Sequence, residues 1–482
     1  MTGKNLLYQS IDQRLPLLAQ LSDHIWDSAE TRFEEQESAE ALCKALESEG
    51  FSVQRNAGAV PHAFVATSGS GQPVLGFLGE YDALSGLSQK AGQATREPIK
   101  SGANGHGCGH HLLGVGALAA AVAIKEHMSR NNIPGTIKYF GCPGEEGGSG
   151  KAFMARAGLF DGLDAAITWH PGTTSSVLTG SSLANIQVYY RFIGRASHAA
   201  GSPHLGRSAL DAVELMNVGV NYLREHIISD ARVHYAVINT GGKSPNVVQP
   251  EAEVLYLIRA PKNNQVQEIY QRVCEIAQGA AMMTQTQVSI QIDKACSNLI
   301  PNETLEAIMQ ANLEAVVPQE PTESEKRFAR EIRASLTEAE LQSEQKSLVD
   351  TYGEREGHRL AKMLEGCDLL TAALPLKSSE KPMMGSTDVA DVSWLVPTVQ
   401  CWTSCYALDT PGHSWQEVAQ GKESWAHKGM SLAAKAMAGV ALDLLEQPDK
   451  LTQAKDELKE RLGSDGYRCP IPDGVQPSPV KQ

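Results

Sequence analysis

Three short apolar runs, at 74–78, 136–140 and 165–169, divide the first third of the chain, and stretches of helical spacing lie between them. Runs of this length read as buried strands. Amphipathic helices are expected over 10–29 and 35–49, the second stopped by Gly50, with further helices over 112–127 and 151–157. Strands that alternate with helices imply an α/β fold built on a three-layer, mainly parallel sheet.

The middle of the chain follows another order. Strands are expected at 186–193, 233–239, 253–259 and 287–292, with long amphipathic helices at 207–228 and 265–283. The sequence β-α-β-β-α-β is the split βαβ arrangement of a ferredoxin-like α+β module. The sheet pattern resumes afterwards, so this module is expected as an insertion. A split catalytic domain would then occupy 1–183 and 299–482, and a lid and dimerisation domain 184–298. Residues 320–366 are polar and charge-rich with helical spacing, an exposed helical excursion or a disordered linker.

Composition narrows the function classes. The 482 residues carry 42 Lys and Arg against 56 Asp and Glu, a formal charge of −14. That balance disfavours nucleic acid or an anionic membrane as the main partner. The longest apolar run, 112–124, is too short to span a bilayer, and charges interrupt the first 26 residues where a signal peptide would need an apolar core. The nine Cys fall at scattered spacings, as reduced thiols of a cytoplasmic protein would.

The placement of polar residues is more specific. Gly79-Glu-Tyr-Asp-Ala-Leu84 follows the first run, Cys142-Pro-Gly-Glu-Glu-Gly-Gly148 the second, and His170-Pro171 the third, while Gly105-His-Gly-Cys-Gly-His-His111 opens the helix between the first two. Open α/β sheets bind ligands beyond the carboxyl ends of their strands, so four segments bring Cys, His, Glu and Asp to one edge. Cys108 and His110 on a Gly-rich turn can direct a thiolate and an imidazole at one ion. A phosphate loop does not fit: Gly150-Lys151 lacks the Gly five residues earlier and is followed by Ala152. Glu145 and Glu146 would repel each other unless a cation or proton intervened, and a metal divides their labour into ligand and proton carrier. His170 and His413 are unremarkable taken singly. Cys401 and Cys405 sit on an apolar run that suits a buried strand better than a metal pair.

Together with Ala196-Ser-His-Ala-Ala200 and Pro411-Gly-His413, these motifs resemble the M20 metallopeptidase/amidohydrolase family, in its aminoacylase-like branch, from the N-terminal helix to the tail. The resemblance implies two divalent metal ions, Mn2+ or alternatively Zn2+, ligated by Cys108, His110, Glu146, His170 and His413. It makes Glu145 the general acid/base and places Asp82 behind the ligands. In other branches a His stands at the position of Glu80, and His111 departs from the usual Asp or Asn. His198 matches a lid histidine that reaches a partner subunit's site, and Asn246 and Arg259 match positions that hold a substrate carboxylate. Read from the residues alone, His198 and Arg259 are ordinary structural positions.

The activity implied is metal-dependent hydrolysis of the amide bond of an N-acyl amino acid. The assembly implied is a homodimer, or a heterodimer with a related amidohydrolase chain. The alternatives are a non-catalytic chain that supports a related enzyme, and a peptidase of different specificity.

Overall fold

A computed structural model describes residues 3–317, 319–379 and 381–480. Among the described residues, eleven strands form two sheets. They are β1 (Ser52–Arg55), β2 (Phe64–Ser70), β3 (Val74–Glu80), β4 (Gly135–Cys142), β5 (Ala165–Gly172), β6 (Ser176–Val177), β7 (Ala184–Ile193), β8 (Arg232–Asn239), β9 (Glu251–Ala260), β10 (Gln287–Cys296) and β11 (Thr398–Ser404).

The first sheet has the order β1-β2-β4-β3-β5-β11-β6. Its centre, β4-β3-β5-β11, is parallel, and β1, β2 and β6 pair antiparallel at its edges. Every residue of β3 is buried, as a strand covered on both faces requires. The helix His110–Asn131 covers one face with Ser424–Glu446 and Gly3–Ser28; Gly150–Arg156 and Val389–Ser393 lie in the core of the other. Gly116 lets the first of these helices approach: a Cβ there would lie 2.8 Å from the Trp169 ring. Among the described residues, His110–Asn131 is also the one helix long and apolar enough to cross a membrane, and 78% of its most apolar window is buried inside the fold. It extends beyond the apolar run 112–124 at both ends.

The second sheet, β10-β7-β9-β8, is antiparallel throughout, with the helices Ala209–Leu223 and Asn263–Thr284 packed on it. Burial alternates residue by residue along β9, because only one face of this sheet meets a core. Strand β8 is an edge and is exposed at all but Val233. The architecture is therefore the α/β sheet with a second, ferredoxin-like unit that the pattern of runs implies.

Some elements differ from expectation. Strands β1, β2 and β6 carry no long apolar run: β1 and β6 are edges that need not be covered, and β2 is buried only at Phe64, Val65 and Ala66. The helix expected over 207–228 ends at Leu223, and Arg224–His226 tightens into a 3-10 turn. In the stretch 320–366 lie three helices, Glu323–Arg333, Ser343–Tyr352 and Glu354–Leu364. Leu348, Tyr352 and Leu360 of the last two pack against Leu370, Leu374 and Leu408. Late in the sequence the chain crosses back over the helix Gly150–Arg156, where Arg156 donates to the carbonyls of Pro472 (2.8 Å) and Val475 (2.9 Å).

Candidate metal centre

The carboxyl ends of the four parallel strands meet at one edge. Glu80 ends β3, with Asp82 two residues on; Glu145 and Glu146 follow β4 on a turn opened by Gly144; His170 lies inside β5, two residues before its end. His413 follows β11 in a left-handed conformation (φ 57°) that a non-glycine residue adopts only under constraint. Its backbone N–H is held by the Gly107 carbonyl at 2.8 Å, which ties two segments far apart in sequence. Gly109 also has positive φ (71°), and a Cβ there would stand 2.9 Å from Pro171. Only glycine lets the turn carrying Cys108 and His110 close onto β5.

The side chains converge. Cys108 Sγ lies 3.4 Å from His170 Nε2, and His170 Nδ1 lies 2.7 Å from the Pro171 carbonyl. The carbonyl can only accept, so Nδ1 carries the proton and Nε2 turns its lone pair towards the thiol. His110 Nδ1 meets Asp82 Oδ1 at 2.9 Å, which leaves its Nε2 for another partner; Glu80 Oε2 is 3.2 Å away. Asp82 Oδ2 accepts the Glu146 backbone N–H at 2.7 Å. One carboxylate thus orients both a histidine and the acidic turn, as carboxylates behind metal ligands commonly do. His413 Nε2 approaches Glu146 Oε1 at 3.1 Å.

Among the described residues, three overlapping groups have ligand atoms within 4.8 Å of one another: Cys108–His110–His170, Cys108–Glu146–His413 and Glu80–His110–Glu145. Two atoms that face this space, His110 Nε2 and Glu146 Oε1, are buried without a hydrogen-bond partner of good geometry. Buried polar atoms are rarely left so. Their convergence with a thiol and two further imidazoles fits divalent cations of the Zn2+ or Mn2+ kind.

The electrostatics separate the two adjacent acids. Burial, then Glu80, Asp388 and Glu146, push Glu145 well above the usual carboxylate range. Burial also acts on Glu146, but the His413 imidazole and the charge on His110 outweigh it and hold the carboxyl at about 2. The surroundings thus favour the protonated form of Glu145 and the ionised form of Glu146, the pattern of a proton carrier next to a ligand. Burial and His110 push His170 down to about 4, so its imidazole is neutral, as a ligand must be. Burial, Glu146 and other acids push the Cys108 thiol well up, and a cation is what would reverse this.

The remaining candidates stand elsewhere. His198 is exposed, and its Nδ1 accepts the backbone N–H groups of Ala200 (3.2 Å) and Gly201 (2.9 Å), which leaves Nε2 carrying the proton. Exposed Asn246 lies alongside, its carbonyl accepting from Ala199 N–H at 3.0 Å. Arg259, half-buried in β9, donates through Nη1 to Ser386 Oγ at 3.1 Å. None of these contacts reaches the Cys108 cluster. Conversely, the sequence motifs do not single out Glu80 as a member of a ligand group, nor Lys151 and Asp388 beneath it. Cys401 and Cys405 are buried, and neither belongs to a ligand group among the described residues.

Comparison with known proteins identifies the family. The profile of peptidase family M20/M25/M40 matches residues 76–438, three quarters of the chain and all of the cluster. The chain belongs to this family. It is similar to one of the two named subunits of the p-aminobenzoyl-glutamate hydrolase of Escherichia coli (strain K12), 50% identical over 479 residues that cover 98% of this chain and 99% of that one. It is 27% identical to the Xaa-Arg dipeptidase of Mus musculus, covering 94% and 91% of the two chains. Among solved structures, a Klebsiella pneumoniae aminobenzoyl-glutamate utilization protein superposes with a TM-score of 0.59 at 18% identity, covering 91% of this chain and 98% of that one. A Bacillus subtilis dinuclear metal-binding peptidase of the M20 family superposes with a TM-score of 0.56 at 16% identity, covering 90% and 99%. Family membership makes this M20 chain an amidohydrolase.

Proposed function

We propose that this M20 amidohydrolase cleaves the amide bond of an N-acyl amino acid, with p-aminobenzoyl-glutamate as its substrate. The observation that carries the reading is the Glu145–Glu146 pair, one acid disposed to hold a proton and the other to stay ionised beside Cys108 and three histidines. The substrate comes from the likeness to the 50% identical E. coli hydrolase chain over nearly the whole of both sequences.

Cys108, His110, Glu146, His170 and His413 would hold two divalent ions. Bound there, such ions polarise a carbonyl and make a water more acidic. Glu145 takes a proton from the attacking water and delivers it to the leaving nitrogen; surroundings that favour its neutral form suit it to hold that proton between the two transfers. Asp82 fixes the His110 ring and the Glu146 backbone through both reactions. Trp402, paired in register with His170, and Thr173 line a cavity of about 1690 Å3, which has room for the acyl group. Arg259 and Asn246 would grip the glutamate carboxylate, a planar acceptor that suits a guanidinium.

His198 would serve the site of a second copy of this chain or of a related chain, donating its Nε2 proton to the developing oxyanion. The exposed edge β8, with Tyr235, Val237 and Ile238 uncovered at 40%, 40% and 47%, supports such an assembly. The other named subunit of the E. coli hydrolase is 30% identical to this chain over 232 residues, which keeps the mixed assembly in view.

The test uses purified chain with Mn2+ or Zn2+ and p-aminobenzoyl-glutamate. Release of p-aminobenzoate by the wild type, and its loss in Glu145→Gln with metal content unchanged, is the expected result. A wild-type chain that turns over only when a related chain is added would make it the supporting partner. Turnover of dipeptides in preference to the acyl-glutamate would favour the dipeptidase reading.

A further inference from the structure

Lys151 belongs to none of the ligand groups and is wholly buried, at 0% exposure. A buried ammonium needs anionic partners, and Lys151 has two. Its Nζ lies 2.6 Å from Glu80 Oε1 and 2.5 Å from Asp388 Oδ1, while its backbone N–H donates to Asp388 Oδ2 at 2.8 Å. Asp388 is thus clasped twice by one residue. Glu80 has one oxygen held by the lysine and the other 3.2 Å from His110 Nε2, a buried atom with no hydrogen-bond partner. Ligand atoms of Glu80, His110 and Glu145 lie within 4.8 Å of one another.

Burying three charges is a weak way to stabilise a fold, since apolar side chains of similar size serve as well or better. Fixing the direction of a carboxylate is something an apolar side chain cannot do. We propose that Lys151 is a positioning residue: anchored on Asp388, it aims Glu80 so that its free oxygen closes one end of the cation-binding cluster beside His110 and Glu145. Lys151 touches no substrate and acts only through Glu80. The proposal rests on the reading of this cluster as the hydrolytic site.

Cobalt(II) titration of the full chain tests it, because the visible bands of the bound ion report ligand geometry independently of any substrate. In Lys151→Met the bands shift and the affinity for the more weakly held ion falls about 10–100-fold, the usual cost of losing a group behind the ligands. On p-aminobenzoyl-glutamate, kcat falls by a similar factor and KM stays within about threefold. Glu80→Gln reproduces the band shift. A lysine that serves only the fold would lower the melting temperature and leave the bands as in wild type; that outcome in folded Lys151→Met protein overturns the proposal. Should Lys151→Met not fold, Asp388→Asn decides on the same readout, and unchanged bands again overturn it. A wild-type chain that binds Co2+ yet leaves the substrate intact defeats the proposed function and leaves the spectroscopic test standing. A wild-type chain that takes up no Co2+ defeats both.

Discussion

Glu145 and Glu146 are chain neighbours with opposite tendencies, and the difference comes from what each faces. Glu146 is met by His413 and by the charge on His110, Glu145 by Glu80 and Asp388. Replacing Glu145 with Gln keeps its volume and removes its proton transfer, so kcat is expected to fall about 10²–10⁴-fold while metal content by elemental analysis stays at the wild-type value. Glu306, on the helix Glu303–Val316 and outside the ligand groups, offers a separate prediction. It is 3% exposed, and burial with Glu303 and Glu457 nearby pushes it up to about 7. Because its folded pKa is raised, the fold binds this proton more tightly than the unfolded chain does. The corresponding stability is fully present below about pH 4.5 and lost as pH rises towards 7. Glu306→Gln should therefore gain on wild type by about 2–3 kcal/mol between pH 4 and pH 8 in urea unfolding. Parallel pH profiles for the two proteins would show the assignment to be wrong.

At the scale of elements, close contacts set the tolerances. A Cβ at Gly116 would meet the Trp169 ring at 2.8 Å, so Gly116→Val forces the central helix off β5 and should cost about 1–3 kcal/mol in the same assay. Strand β8 offers its unpaired edge and the side chains of Val237 and Ile238 to a partner. Lysines at both positions should turn a dimer into a monomer in light scattering and lower kcat, if His198 works across the interface. How much can be read from sequence follows the same physics. Strands β3, β4 and β5 are buried on both faces and announce themselves as apolar runs, and the residues at their carboxyl ends fall where the ligands are. Strands β1 and β6 are edges with no such requirement, and β2 is buried only at Phe64, Val65 and Ala66, so none of the three leaves a long run. Lys151 escapes a reading of motifs because its role depends on partners from β3 and from residue 388, a proximity that no local pattern encodes. Where His198 and Asn246 lie relative to the cluster is a matter of how two sheets are arranged, which spacing along the chain does not specify.

For the whole molecule, the cluster joins four segments distant in sequence: the turn at Cys108, the end of β4, β5 and the loop after β11. Cations that bind this arrangement and not the unfolded chain stabilise the fold by mass action, about 4 kcal/mol at a thousandfold excess over Kd. Chelation should then lower the melting temperature by several degrees, and added Mn2+ should restore it; Cys108→Ser should blunt both effects. The order of synthesis carries a last consequence. Cys108, His110, Glu146 and His170 leave the ribosome before the second sheet, whereas Asp388 and His413 emerge after it. A nascent chain therefore displays a reduced thiol and two imidazoles on a sheet that still lacks β11. The cluster is therefore complete only once β11 and the loop that carries His413 have been made.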